Sequence, residues 1–268
     1  MKKQVTSWHA IGAQIANYRK RAGMTQTELA DRLCVSYDKM ASIEQGRRPV
    51  DYALAEQIDE LFGTQGALAV AVAKIPAREK YPAILADLVE YEEKALTILS
   101  YQTQVVPGLL QTPEYMRAVF DASYPPLTHE TAEDWITARI GRQLIWEREH
   151  PPASHFIIEE AVLHKPVGGP EVMRGQYRRI LELGQLHCMG VQIMPTRQWP
   201  HAGLAGPMVL LEDPEHDFVA FIEGHRVSNV LDDPKDISNL HLKYGMLQSQ
   251  ALSPDESARL LDGLLGAS

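Results

Sequence analysis

Tyr37, Asp38, Lys39 and Ser42 are hydrogen-bonding residues sharing a short segment with two apolar ones, Met40 and Ile43. If the segment is helical, committing Met40 and Ile43 to a core turns the four polar residues outward. A helix exposed in this way fits the major groove of a DNA duplex, where base edges carry a distinct code of donors and acceptors. Gln26, at the start of the preceding helix, and Arg47 and Arg48, just beyond the end of this one, would stand where phosphates pass. The chemistry expected is recognition, with no bond made or broken.

Other chemistries leave weaker traces. Ten histidines occur, yet His150, His155, His164 and His187 form no His-Glu-x-x-His or other paired ligand spacing. There is no Gly-x-Ser-x-Gly elbow and no phosphate-cradling glycine loop. Glu159 and Glu160 adjoin at a strand end and face opposite ways, so one can be buried. A buried acid is either a hidden site or, more often, a satisfied structural group. Residues 212–217 read as a wet polar turn. The chain is therefore expected not to be an enzyme, with no catalytic residue, no metal ligand and no cofactor.

The elements that position the outward residues are legible around them. Thr25-Gln26-Thr27-Glu28 is a capping box opening a helix that faces Leu29 and Leu33 inward. Cys34-Val35-Ser36 breaks the pattern, with Val35 plugging the core beneath a turn and Ser36 capping the next helix. Gln45-Gly46 ends that helix, glycine supplying a left-handed C-cap. A further helix from Asp51 buries Leu54, Ile58 and Leu61. A protein-binding helical bundle would share this pattern. Arg47-Arg48 alone reads as a solvated pair, and Tyr37 alone as packing, so it is the joint spacing that points to DNA.

From Thr25-Gln26-Thr27-Glu28-Leu29-Ala30 through Val35-Ser36 to Ile43-Glu44-Gln45-Gly46-Arg47-Arg48-Pro49, the sequence resembles the Xre (lambda-repressor-like) helix-turn-helix family of transcriptional regulators. The resemblance implies four or five helices, with Tyr37, Asp38 and Ser42 at base-reading positions. Gln26, Ser36, Lys39, Arg47 and Arg48 would take backbone positions. It also implies an internal salt bridge between Arg19 and Glu44. The family usually has glycine where this chain has Cys34, so the turn is expected to be either strained or slightly different in shape.

The 268 residues favour two domains, and the charge divides between them. The net charge is -9, but residues 1–75 hold ten Lys/Arg against eight acids, leaving sixteen against 27 beyond. The acidic second half is thus expected not to touch nucleic acid. Residues 76–82, with two prolines and a charge cluster, are the expected linker. Residues 83–268 read as an α+β domain with a small antiparallel sheet. Its helices fall near residues 83–92, 113–121, 131–148 and 172–186, and its strands near 155–158, 191–194, 208–211 and 218–222. Only two cysteines occur, Cys34 and Cys188, without redox or zinc spacing. Lys2 and Lys3 are followed by no apolar leader, and the apolar run 67–73 is too short to span a bilayer. A soluble, cytoplasmic protein is expected, with no membrane contact.

Tyr101-Gln102-Thr103-Gln104-Val105-Val106-Pro107-Gly108-Leu109-Leu110-Gln111-Thr112-Pro113 is similar to the signature of an antitoxin-like C-terminal domain found in actinobacterial Xre regulators. The stretches 156–164, 191–195 and 251–257 fit it too. This implies a partner, either a small protein or an unknown ligand. Physically, Pro107-Gly108 forces a turn and Thr112-Pro113 starts a helix, so the motif is either structural or the wall of a groove. The function expected is that of a homodimeric regulator binding double-stranded DNA. The alternative is an antitoxin-like protein that holds a small partner, its DNA binding being autoregulatory. The operator, the sign of regulation, the effector and the dimer surface have no trace in the sequence.

Overall fold

A computed structural model describes residues 7–75, 83–223 and 228–267, and the chain divides into two compact units, Met1–Ala86 and Asp87–Ser268. The linker expected at 76–82 lies outside the described residues. No helix among them is long and apolar enough to cross a membrane.

The first unit contains five helices among its described residues that lie before the linker: α1 Ser7–Arg21, α2 Gln26–Arg32, α3 Tyr37–Glu44, α4 Tyr52–Phe62 and α5 Ala67–Ala73. One core joins them, through Ile15 of α1, Leu29 of α2, Met40 and Ile43 of α3, Ile58 of α4 and Leu68 of α5. Leu61 lies at its edge, only partly buried. Asp59, itself buried, accepts hydrogen bonds from the amides of Leu68 and Ala69 at 3.0 and 2.8 Å. A side chain of α4 thus does for the start of α5 what its own cap residue, Gly66, cannot. Two glycines set the contact of α1 with α3. A methyl group on Gly12 would sit 2.2 Å from the Ile43 carbonyl oxygen, and Gly46, at φ +65°, has its open face 2.4 Å from the His9 Cα.

The second unit is built on a six-stranded sheet. Its strands are β1 Thr97–Gln102, β2 Ala153–Glu159, β3 Met189–Met194, β4 Met208–Glu212, β5 Phe218–Glu223 and β6 Ser228–Leu231, in spatial order β3-β2-β1-β4-β5-β6. β1, β2 and β3 run parallel, whereas β4, β5 and β6 are added antiparallel. The expected small antiparallel sheet is therefore corrected to a larger mixed one. The cause is connectivity: a parallel pair needs a long crossover, and helices lie between β1 and β2 and again between β2 and β3. These are α7 Pro113–Asp121, α8 His129–Gln143, the short α9 Glu160–Leu163 and α10 Pro170–Leu183, with α6 Ala83–Glu92 preceding the sheet. Two more helices, α11 Pro234–Gln250 and α12 Pro254–Ala267, follow it.

One face of the sheet presents Tyr101, Ile157, Met194, Met208, Leu210 and Ala220 to Ile237, Tyr244 and Leu247 of α11. On the alternate positions Ile98, Phe156, Ile158 and Ile193 are buried as well. Burial on both faces explains why β2 and β3 read as nearly continuous apolar runs. The outer edge of β3 is covered rather than left open. Ile193 donates its amide to Ser257 Oγ and accepts from the Leu252 amide, both at 2.9 Å, closing a ladder that would otherwise invite another strand.

The Gln-rich stretch before α7 is packed inside. Val106, Leu109, Leu110, Gln111 and Tyr115 are buried, with a short 3-10 turn at Gly108–Leu110. Fully buried Gln176 of α10 accepts from the Thr112 amide at 2.9 Å and donates to the Leu110 carbonyl at 2.8 Å. Gln111 donates to the Val106 carbonyl at 2.6 Å, and Gln143 reaches the carbonyls of Gly108 and Gln111 at 3.1 and 2.8 Å. The glutamines serve as internal partners for a loop that has no ladder of its own. Gln176→Leu would strand one backbone donor and one acceptor in the interior. We expect it to cost about 2–4 kcal/mol, measured as a lower urea midpoint; a loss below about 0.5 kcal/mol would show that this loop is not held from within.

Candidate nucleic-acid interface

The two helices of the motif are started by their own side chains. Thr25 Oγ1 accepts from the Glu28 amide at 3.2 Å, while Glu28 accepts from the Thr25 amide at 2.7 Å. That backbone bond, with help from the Thr25 hydroxyl, holds the Glu28 carboxyl below its usual range. Ser36 caps α3, its Oγ accepting from the Lys39 amide at 3.1 Å. Between the helices Cys34 is exposed and left-handed, at φ +53°, and Val35 packs against the core. The turn needs a residue at positive φ, and here a side chain with a β-carbon bears that strain.

With Met40 and Ile43 fully buried, α3 presents a polar outer face. Tyr37 is 51% exposed, Ser36 and Asp38 are exposed, and Ser42 is half-buried. Gln45, treated in the sequence only as a helix end, is exposed too, three residues after Ser42 and seven after Asp38. That spacing puts it on the same face, and the spacing was legible beforehand.

The residues assigned to the phosphate backbone divide. Arg47 is exposed, whereas Arg48 is 9% exposed and so counts as interior. Its burial leaves Arg47 as the exposed member of the pair. Lys39 is half-buried, with Nζ 3.9 Å from an Asp51 carboxylate oxygen. Gln26 is drawn into an internal network, its Nε2 donating to Glu44 Oε2 at 2.7 Å. Arg19 donates to both oxygens of the same carboxylate, at 2.5 and 2.8 Å, and to the Met24 carbonyl at 2.8 Å. The hydrogen bond to Glu44 holds the Arg19 guanidinium above its ordinary pKa.

In the second unit the acids flagged by sequence have ordinary partners. Tyr101 OH donates to Glu159, and burial, reinforced by that carboxylate, pushes the phenol pKa upward. His201 accepts from the Gly203 amide through Nδ1 at 3.2 Å, leaving Nε2 4.0 Å from Glu159. Glu160 accepts from the Thr196 amide at 2.8 Å, the first of the bonds that lower its pKa. Among the described residues no group of three or more His, Cys, Asp or Glu side chains is placed to hold a metal ion.

The strained turn yields a stability test on the interface scaffold. Cys34→Gly should raise the stability of the first unit by about 0.5–1 kcal/mol, because glycine adopts φ +53° without a steric penalty that exceeds its entropic cost. Cys34→Val should lower it by about 1 kcal/mol or more. Thermal melts of the two variants check the pair, and an inverted order would refute the strain.

Comparison with known families places both halves. A helix-turn-helix domain family matches residues 10–71, and no curated protein and no solved structure matches the chain. The match over residues 85–263, well over half the chain, is to a domain of unknown function (DUF5753), and the chain belongs to that family.

Proposed function

We propose that the chain is a sequence-specific, DNA-binding transcriptional regulator of the Xre type, cytoplasmic and homodimeric, whose residues 83–268 receive a signal or a partner. The observation that carries this reading is the outer face of α3. Tyr37, Asp38, Ser42 and Gln45 project from a helix whose opposite side is fixed in the core. Tyr37, Asp38 and Ser42 read base edges, with Gln45 beside them, and Ser36 and Arg47 meet the phosphates. Lys39 reaches a phosphate by leaving Asp51, and Gln26 presents what its bond to Glu44 leaves free. A carboxylate at Asp38 accepts from cytosine amino groups and repels phosphate, which disfavours loose binding. The reading assigns the chain no reaction.

Double-stranded fragments selected by the purified protein supply the operator for a mutational test. Arg47→Ala should weaken binding to every sequence and reduce the salt slope by about one ion. Tyr37→Ala should cost about 1–3 kcal/mol on the selected site and little on random DNA. A salt slope unchanged by Arg47→Ala, or a Tyr37→Ala loss equal on both DNAs, would overturn the docking.

A second reading, an antitoxin-like protein holding a small basic partner, has one observation in its favour. Glu90, Tyr91, Lys94, Asp213, Pro214, Glu215 and Val230 line a cleft of the second unit, and three of these residues are acids.

A further inference from the structure

We infer that α11 is the surface through which two copies of this chain associate, antiparallel and around a two-fold axis near Leu242 and Gly245. The inference rests on the homodimer reading and adds the surface to it. The buried side of α11 is spent on the sheet through Ile237, Tyr244 and Leu247. On its other side Leu242 is 73% exposed and Met246 52% exposed, one helical turn apart.

The strip does not stop at the helix. Gln250, one turn beyond Met246, accepts from the Ala202 amide at 3.0 Å and donates to the Pro200 carbonyl at 3.4 Å. The loop between β3 and β4 is thereby tied to the C-terminal end of α11. That loop exposes Trp199 at 73% and Leu204 at 64%. Together the four side chains offer on the order of 400 Å² of apolar surface, the size of the largest patch on an ordinary monomer. It is about half of the ~800 Å² that each partner gives to a standard interface. The neighbouring Ser238, Asn239 and Ser249 add uncharged area, and Gly245 lets a second helix approach closely.

Charge decides the orientation. The N-terminal end of α11 carries exposed Asp232, Asp233 and Asp236 beside a single Lys235. The loop at its far end carries exposed Arg197. A parallel pairing would bring like ends together. An antiparallel one brings each acidic end to the partner's Arg197 and sets Leu242 of each copy against Met246 of the other, the reciprocal pairing of an isologous interface. The occupant fitted by this face is therefore a second copy of the chain.

Sedimentation of the full chain over a range of concentrations tests this. Leu242→Glu should weaken self-association by at least about 100-fold, since an isologous interface counts each substitution twice. The exposed position leaves the fold intact, which circular dichroism verifies. Leu144→Glu, on the other exposed apolar pair with Ile140, should leave the dimer unchanged. Arg197→Glu and Asp236→Arg should each weaken the dimer, and the double variant should recover it. A dimer indifferent to Leu242→Glu, or dissolved by Leu144→Glu, would overturn this interface and leave the homodimer reading standing. A wild-type chain that remains monomeric with and without operator DNA would overturn the homodimer reading itself.

Discussion

The carboxylate of Glu44 is the constraint on which the DNA-facing surface depends. It lies at the last turn of α3 and gathers Arg19 from α1 and Gln26 from α2, so three helices meet on one charged group. A two-pronged guanidinium contact fixes direction as well as distance, which an apolar contact between rounded side chains does not. The pair is buried, so its attraction is largely offset by the loss of water around both ions, and its return lies in geometry more than in stability. The close approach at Gly12 points the same way, because α1 rests against the carbonyl oxygens of Ile43 and Glu44 themselves. The pose of the outer face of α3 is set from behind, by Arg19, Gln26 and the backbone contact at Gly12.

The second unit repeats the device at a different place. Arg142 of α8 donates to both oxygens of Glu92 at 2.9 Å, and both residues are buried. Desolvation is the largest influence on Glu92 and raises its pKa even against the pull of Arg142. A carboxylate in that position persists only while its partner is held in place, so the ion pair specifies how α6 and α8 fit together. In both units polar groups inside the protein decide register while apolar groups supply the driving force.

What the sequence made legible follows from the same distinction. Local signals carried through: the Thr25–Glu28 box, the Ser36 cap and the Thr112-Pro113 helix start each act within four residues. The inward pair Met40 and Ile43 was equally readable, because a helix of eight residues, little more than two turns, leaves few alternatives. Long-range pairing was not legible. Thr97–Gln102 alternates over only six residues and runs straight into the glutamine-rich stretch, so the central strand of the sheet went unread, and with it the parallel order. Nor could spacing separate Arg47 from Arg48, since adjacent residues past a helix end turn to opposite sides according to packing. Within the glutamine-rich stretch Gln111 closes a hydrogen bond inside the fold, and Gln176 of α10 supplies another from outside it.

On the proposed reading, the charge balance puts the burden of binding on base contacts and on pairing of copies. Residues 1–75 exceed neutrality by only two cations, and among their arginines Arg48 is interior. A helix-turn-helix with so little free positive charge gains little from counterion release, the term that supplies most nonspecific affinity. The remaining 193 residues are strongly acidic and raise the cost of approaching a phosphate chain anywhere except through the first unit. A weak grip on random DNA would leave discrimination to the few side chains on the face of α3, and the proposed homodimer would use those contacts twice on linked half-sites. In the homodimer proposed above, a single copy would grip DNA weakly, and an event that changed the pairing of its second units would change occupancy of the operator.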